Sequence, residues 1–251
     1  MFREYFTVFL LGHILGDFYL QRDKMAKRKD QSIRWIFIHG IVYLITMMFV
    51  ILPFISYELI VGVIFASTLH FLIDIIKHIY LLVIENKGKK TIELERDIFF
   101  LDQGLHFLCL IIVAYLLASA NKLAIRFSWI EMFFYVSNIP LMKFLSWILA
   151  LLITHKPANI VIQNLLKKYK VKEDQVDKEN DKNAGRFIGT VERIIMLIFL
   201  SINQYSAIGL VLTAKSIARY DKISKDKDFA EYYLLGTLIS TVLAIVASFL
   251  L

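Results

Sequence analysis

Cysteine occurs once in these 251 residues, at Cys109 inside an apolar run. No intrachain disulfide can form, and no set of thiolates is available for a structural zinc. Also missing are a Gly-rich phosphate cradle, a nucleotide-binding loop and a Ser-His-Asp order. Their absence removes most cofactor-dependent enzymes. The N-terminus lacks the basic region of a secretory leader: Arg3 and Glu4 stand in its place, and no small-residue cleavage site precedes Gln21. The first apolar run is therefore expected to be a retained helix. No stretch alternates in the manner of a membrane barrel.

Apolar residues, by contrast, are plentiful. They make up 58% of the chain, with a mean hydropathy of +0.61, where a soluble domain has about 45–50%. They fall into runs of roughly 20 residues, the length that crosses about 30 Å of hydrocarbon. The runs are Glu4 to Gln21, Ile33 to Leu52, Tyr57 to Leu82, Ile98 to Ala120, Phe127 to Ile153, Phe187 to Ala214 and Phe229 to Leu251. Open strands would leave backbone groups unpaired in lipid, so helices are expected throughout. The fold class is all-α, a polytopic transmembrane bundle of about seven helices in the lipid bilayer.

Three parts are expected: a five-span membrane domain over 1–157, an interfacial helix and charged cytoplasmic linker over 158–184, and a two-span segment over 185–251. Pro140 removes a backbone donor inside the fifth run and predicts a kink or a division there. Ala158 to Tyr169 mixes apolar and polar residues as an interfacial helix does. Lys170 to Asn183 has the composition of a solvated linker, where a cytoplasmic protein partner would bind. The net charge of +7 resides in short loops. It therefore follows the positive-inside pattern and implies no nucleic-acid partner. That pattern puts the N-terminus outside, but the basic loop Lys215 to Lys227 then falls on the wrong side. A re-entrant sixth run or a split fifth run would repair the alternation.

Three spans each carry a His and a carboxylate four residues apart: His13 with Asp17, His70 with Asp74, and Asp102 with His106. Such spacing places both side chains on one helix face and offers an imidazole nitrogen and a carboxylate oxygen to one target. Because successive spans reverse direction, the three pairs fall at one depth beneath the same leaflet. His39 on the second span reaches the same layer, as an extra ligand, to orient a ligand or to shuttle a proton. Carboxylates in hydrocarbon are expensive unless partnered. The expected partner is one divalent metal ion or two, with Zn, Mn, Fe and Mg all compatible with this donor set. A lone His-x-x-x-Asp pair is more often a hydrogen bond across one helix turn; three at one depth favour a shared ion.

Other polar residues read more plainly. Glu192 and Arg193 suit an interfacial ion pair with snorkelling. Asn203, Gln204 and Tyr205 suit hydrogen bonds between helices. Lys77, His78, Arg96 and the cluster Lys27 to Lys29 form a positive rim able to attract anionic or phosphorylated lipid, although the positive-inside bias also accounts for it. His155 beside Lys156 reads as interfacial.

The segments GHILGDFYLQ (Gly12 to Gln21), HFLIDIIKH (His70 to His78) and FLDQGLH (Phe100 to His106) resemble the uncharacterised bacterial membrane family termed domain of unknown function 3307. The stretches Gly185 to Arg193, Ala207 to Tyr220 and Phe229 to Ser240 are similar to its longer members. This resemblance implies a multi-pass protein of the bacterial cytoplasmic (inner) membrane and supplies no activity. The His-x-x-x-Asp helices alone also resemble membrane-bound metal-dependent hydrolases acting at the lipid surface. The leading functional expectation is a metal-dependent hydrolase cleaving a phosphoester or related lipid-linked substrate at the cytoplasmic leaflet. Competing readings are a proton- or divalent-cation-coupled transporter, and a membrane regulator or sensor with a structural metal.

Overall fold

In the computed structural model the described residues are 1–21, 25, 32–88, 91–120, 123–169 and 178–251, with the side chains of 178–184 left aside. The Lys27 to Lys29 cluster and residues 170–177 of the expected linker lie outside them. Among the described residues there are helices and no strands. Two compact units divide the chain, Met1–Leu149 and Ala150–Leu251.

The first unit is built on four long helical segments. Helix α1 (Phe2–His13) runs directly into a wide π-helical segment, Ile14–Leu20. Helix α2 is Ile33–Ile51, extended by a tight turn over Leu52–Phe54. Helices α3 (Tyr57–Asn86) and α4 (Ile92–Ala120) follow. α1 packs on α2 and on α4, α2 on α3, and α3 on α4, so the four close into a ring. On α2 the row Phe37, Ile41, Ile45 and Phe49 points outward, Phe49 being 71% exposed, while His39 is 0% exposed. Apolar residues outside and polar residues inside are the reverse of a soluble protein, and that arrangement is stable in lipid.

Two glycines set the closeness of that ring. A Cβ on Gly12 would collide with Met47 Sδ, and one on Gly16 would lie 2.8 Å from the Tyr43 ring. The four-residue spacing puts both on the face of the first helical run that meets α2, a small-residue contact of the kind membrane helices use to approach closely.

Proline at position 140 divides the fifth apolar run, the second of the two outcomes expected there. Helix α5 (Ser128–Val136) ends in a turn at 137–138, with Asn138 at φ 54, and α6 (Leu141–Leu166) begins after Pro140. α5 buries none of its residues; Trp129 and Tyr135 are fully displayed, as aromatic side chains at a membrane interface are. α6 continues through Pro157 to Leu166, so the segment expected as an interfacial helix after 157 prolongs a long apolar helix.

In the second unit, α7 (Lys178–Ser201) starts inside the stretch expected as linker. The sixth run then breaks at Ile202 to Gln204, where Asn203 takes φ 58, and α8 (Tyr205–Ala218) folds back. Lys215 Nζ on α8 reaches Glu192 Oε2 on α7 at 2.7 Å, which fixes the pair as an antiparallel hairpin. At 14 residues α8 is about 21 Å long, too short to cross about 30 Å. The hairpin brings the basic loop Lys215 to Lys227 back beside Glu192, and the alternation that sent this loop to the opposite side disappears. Helices α9 (Tyr220–Lys225) and α10 (Lys227–Ser248) complete the unit, α10 packing on α7. Ala150, Leu197 and Ala247 form its tightest contact.

Helices α2 with its extension, α3, α4, α6 and α10 are long and apolar enough to span a bilayer. The chain is a membrane-embedded, all-α helical protein.

Candidate metal centre

Polar side chains from all four helical segments of the first unit converge inside its ring. Each arrives there for a local reason. α1 delivers His13 from its last turn, 3% exposed. Asp17 follows in the π-helical segment, where the amide of Gln21 bonds to the carbonyl of Gly16, five residues back. This wider turn re-aims Asp17, and π segments of this kind cluster at functional sites. His39 comes from the second turn of α2, His70 and Asp74 from the middle of α3, and Asp102 and His106 from α4. Their residue exposures on α2, α3 and α4 run from 0% to 6%.

Asp17 Oδ1 is the hub of one half. His39 Nε2 donates to it at 2.9 Å and His70 Nε2 lies 3.1 Å from it. Gln103 Nε2 donates to the other Asp17 oxygen at 3.1 Å. Asp17 is thus bonded to α2, α3 and α4, and its ligand atom stays within 4.8 Å of those of His13 and His70. The other two pairs do form within their helices: His70 Nδ1 lies 3.5 Å from Asp74 Oδ2, and His106 Nε2 lies 3.5 Å from Asp102 Oδ1. Asp74 also faces two neighbours, His39 Nε2 at 3.7 Å from Oδ2 and His106 Nε2 at 3.8 Å from Oδ1. The rings are locked by stacking, His70 on His106 at 4.0 Å and Tyr43 on His70 at 3.8 Å. Tyr43 Oη lies 3.4 Å from His13 Nδ1.

All seven residues expected at the site, His13, Asp17, His39, His70, Asp74, Asp102 and His106, therefore meet in one layer. Three overlapping groups can hold a metal ion: His13, Asp17 and His70; His39, His70 and Asp74; and Asp74, Asp102 and His106, the ligand atoms within each lying within 4.8 Å of one another. The donor set fits a divalent ion on three counts. Ligand atoms about 2.0–2.2 Å from an ion stand roughly 3.0–3.5 Å apart, close to the separations found here. Among the described residues, the buried Nδ1 atoms of His39 and His106 have no hydrogen-bond partner, and His70 Nδ1, His106 Nε2 and Asp102 Oδ1 meet their nearest carboxylate or imidazole only at 3.5 Å. Three carboxylates, finally, are buried beside one ammonium, that of Lys77, 2.9 Å from Asp102 Oδ2. Burial of unbalanced charge is costly, and a divalent cation offsets it.

Lys77, expected in a positive rim at the mouth of the site, is 21% exposed and turned onto Asp102. Arg96, the other described cation of that rim, pairs with Asp97 at 2.8 Å. The helices also run further than expected, α3 to Asn86 and α4 from Ile92. Tyr43, Gln103 and the glycines 12 and 16 were not foreseen. Tyr43 stands four residues beyond His39 and Gln103 beside Asp102, and that spacing is the one signal the sequence carried.

The second unit corrects another expectation. Arg193 is 1% exposed and does not snorkel. Its Nε donates to the Thr154 carbonyl at 2.7 Å, NH1 to Ser240 Oγ at 3.1 Å, and NH2 to Asn159 Oδ1 at 2.8 Å and Thr190 Oγ1 at 3.2 Å. Glu192, its expected partner, goes to Lys215 instead. Asn203 and Tyr205 bond to each other in the exposed turn rather than between deep helices. His155 is exposed on α6.

Residues 5–135 match the family described as "Protein of unknown function (DUF3307)", more than half of the chain and the whole of the His/Asp layer. The match ends before the C-terminal stretches that bear the same resemblance. No curated protein and no solved structure matches the chain.

Proposed function

Because the chain belongs to the DUF3307 family, a membership that carries no activity, we propose from the site itself that this is a metal-dependent hydrolase. It acts on a phosphoester of a lipid-linked substrate at the cytoplasmic leaflet of a bacterial inner membrane. The observation that carries the reading is the ring of three histidine-carboxylate pairs buried at one level, with ring nitrogens left unbonded. Asp17, Asp74 and Asp102 with His13, His70 and His106 hold the metal, and His39 orients Asp17. A divalent ion, when bound, polarises a phosphoryl oxygen and lowers the pKa of water.

The chain's own groups supply the rest. Lys77, at the partly open edge of the layer, is placed to receive a phosphate oxygen. His39, 2.9 Å from Asp17, can take the proton from attacking water, whose oxygen bonds to phosphorus as the ester P–O bond breaks. The departing alkoxide takes up one proton, giving a lipid alcohol and a phosphate. The apolar inner residues below the site, among them Val63, Ala66, Leu110, Val113 and Ala114, keep water out of the far half of the ring.

A cation-transport reading has one observation in its favour. His78 follows Asp74 by four residues on α3 and is 8% exposed, extending the polar stripe toward one helix end. The far half, where Thr7, Thr46 and Ser67 are the buried polar side chains among apolar neighbours, has no buried carboxylate or basic group among the described residues to continue a conduit. Protein reconstituted in liposomes distinguishes the two. Hydrolysis predicts metal-dependent phosphate release from a lipid phosphomonoester or a polyprenyl diphosphate, lost in Asp102→Asn. Divalent-cation flux without any phosphate release defeats the hydrolase.

A further inference from the structure

The two oxygens of Asp74 face different partners. Oδ2 lies 3.5 Å from His70 Nδ1 and 3.7 Å from His39 Nε2, whereas Oδ1 lies 3.8 Å from His106 Nε2. The carboxylate stands between a group made by α1, α2 and α3 and a group made by α3 and α4. The ligand atoms follow the same division. They form three groups of three rather than one ring of six, and two of those groups, His13, Asp17, His70 and Asp74, Asp102, His106, share no residue.

A single ion would need its ligands to surround one point, with opposite donors about 4.2 Å apart at the usual bond lengths. The ligand atoms here divide instead between two groups that meet at Asp74, with the stacked rings of His70 and His106 beside it. A carboxylate offering one oxygen to each of two ligand groups is what paired-ion sites use to hold their ions about 3.5–4 Å apart.

We propose that the layer is a dinuclear centre in which Asp74 bridges two divalent ions. One is held by Asp17, His70 and His13 with Asp74 Oδ2, the other by Asp102 and His106 with Asp74 Oδ1. The proposal rests on the hydrolase reading's metal site but not on its reaction. It fits a substrate that two adjacent cations can grip at once, a phosphoryl group with two or more free oxygens, a requirement that a phosphomonoester, a diphosphate and a phosphodiester all meet.

The test uses the full chain in lipid nanodiscs, stripped of metal and reloaded with Mn²⁺, read by elemental analysis and low-temperature electron paramagnetic resonance. The wild type is expected to bind two Mn²⁺ per chain with the spectrum of an exchange-coupled pair. Asp102→Asn is expected to retain one ion with the spectrum of isolated Mn²⁺. Asp74→Ala is expected to lose the coupling. The wild-type measurement decides the matter without any variant, so a misfolded Asp74→Ala protein does not protect the proposal. One ion per chain, or two without coupling, overturns the bridge. Phosphate release by a one-ion protein would leave the hydrolase standing and remove the dinuclear centre, while two coupled ions without hydrolysis of any phosphorylated lipid would do the reverse.

Discussion

Asp17 and His39, 22 residues apart in sequence, meet at 2.9 Å because the first helix widens into a π turn just where it crosses α2. The bond fixes the carboxylate that His70 and Gln103 also reach. His39→Gln keeps a polar group of similar reach but loses the imidazole that orients Asp17. Metal affinity, followed by Mn²⁺ titration, is expected to fall about 10–100-fold, the range seen when a ligand's supporting partner is removed. Asp17→Ala takes away the carboxylate itself and is expected to fall further. Equal affinity in the wild type and both variants would show that Asp17 holds no ion.

Gly16 and Gly12 separate packing from chemistry. A methyl at Gly16 meets the Tyr43 ring at 2.8 Å, and that ring is stacked on His70 at 3.8 Å, so it cannot yield without moving a ligand. At Gly12 the obstacle is the thioether of Met47, which has more rotamers available. Gly16→Ala should destabilise the protein by about 1–3 kcal/mol, as overpacking does, and weaken metal binding as well. Gly12→Ala should lower thermal stability with a smaller effect on metal. Thermal melts with and without Mn²⁺ check both; identical metal binding in Gly16→Ala and wild type would count against the contact's role.

How much of this was readable beforehand depends on distance along the chain. The His-x-x-x-Asp and Asp-x-x-x-His pairs were legible because helix geometry is local, and their common depth followed from reversal of successive spans. The bonds from Asp17 to His39 and His70 were not legible, because they join residues 22 and 53 positions apart through a π turn, and nothing in ILGDFYL announces it. The hairpin at Asn203 was hidden for another reason. Hydropathy sees Phe187 to Ala214 as one run, while the chain reverses there through a single residue at positive φ. Arg193 was misjudged because the rule that buried cations need carboxylates overlooks a cage of neutral acceptors drawn from α6, α7 and α10.

That cage makes a prediction of its own. Arg193→Met keeps the bulk and removes the charge, yet strands Asn159 and Ser240 and frees the Thr154 carbonyl. A loss of about 1–3 kcal/mol is expected, the cost of leaving buried polar groups unsatisfied. Urea or thermal denaturation measures it. Mn²⁺ stoichiometry should be unchanged, since every metal-binding residue belongs to the other compact unit. A variant as stable as the wild type would mean that the four bonds to Arg193 contribute nothing.

Chelation should act on stability as well as on activity. A ligand that binds only the folded state at about 100 times its Kd stabilises it by about 2.7 kcal/mol. Stripping the metal is therefore expected to lower Tm by several degrees, and readdition of Mn²⁺ or Zn²⁺ to restore it in the wild type but not in Asp102→Asn. A Tm indifferent to chelator and metal in the wild type would place these groups in ordinary polar packing.

Lys77 decides between a lid on the charge and a hand for the substrate. Its ammonium bonds to Asp102 Oδ2 at 2.9 Å, where it offsets one carboxylate and repels an ion approaching the same residue. At an effective dielectric constant of about 20, two unit charges about 5 Å apart interact by roughly 3 kcal/mol. Lys77→Met is thus expected to tighten divalent-ion binding by at least about tenfold while raising the KM for a phosphorylated lipid, because the positive group that meets the phosphate is gone. Tighter metal with unchanged KM would assign Lys77 to charge balance alone. Weaker metal would mean that the ammonium holds Asp102 in its ligating position, contrary to the competition argued here.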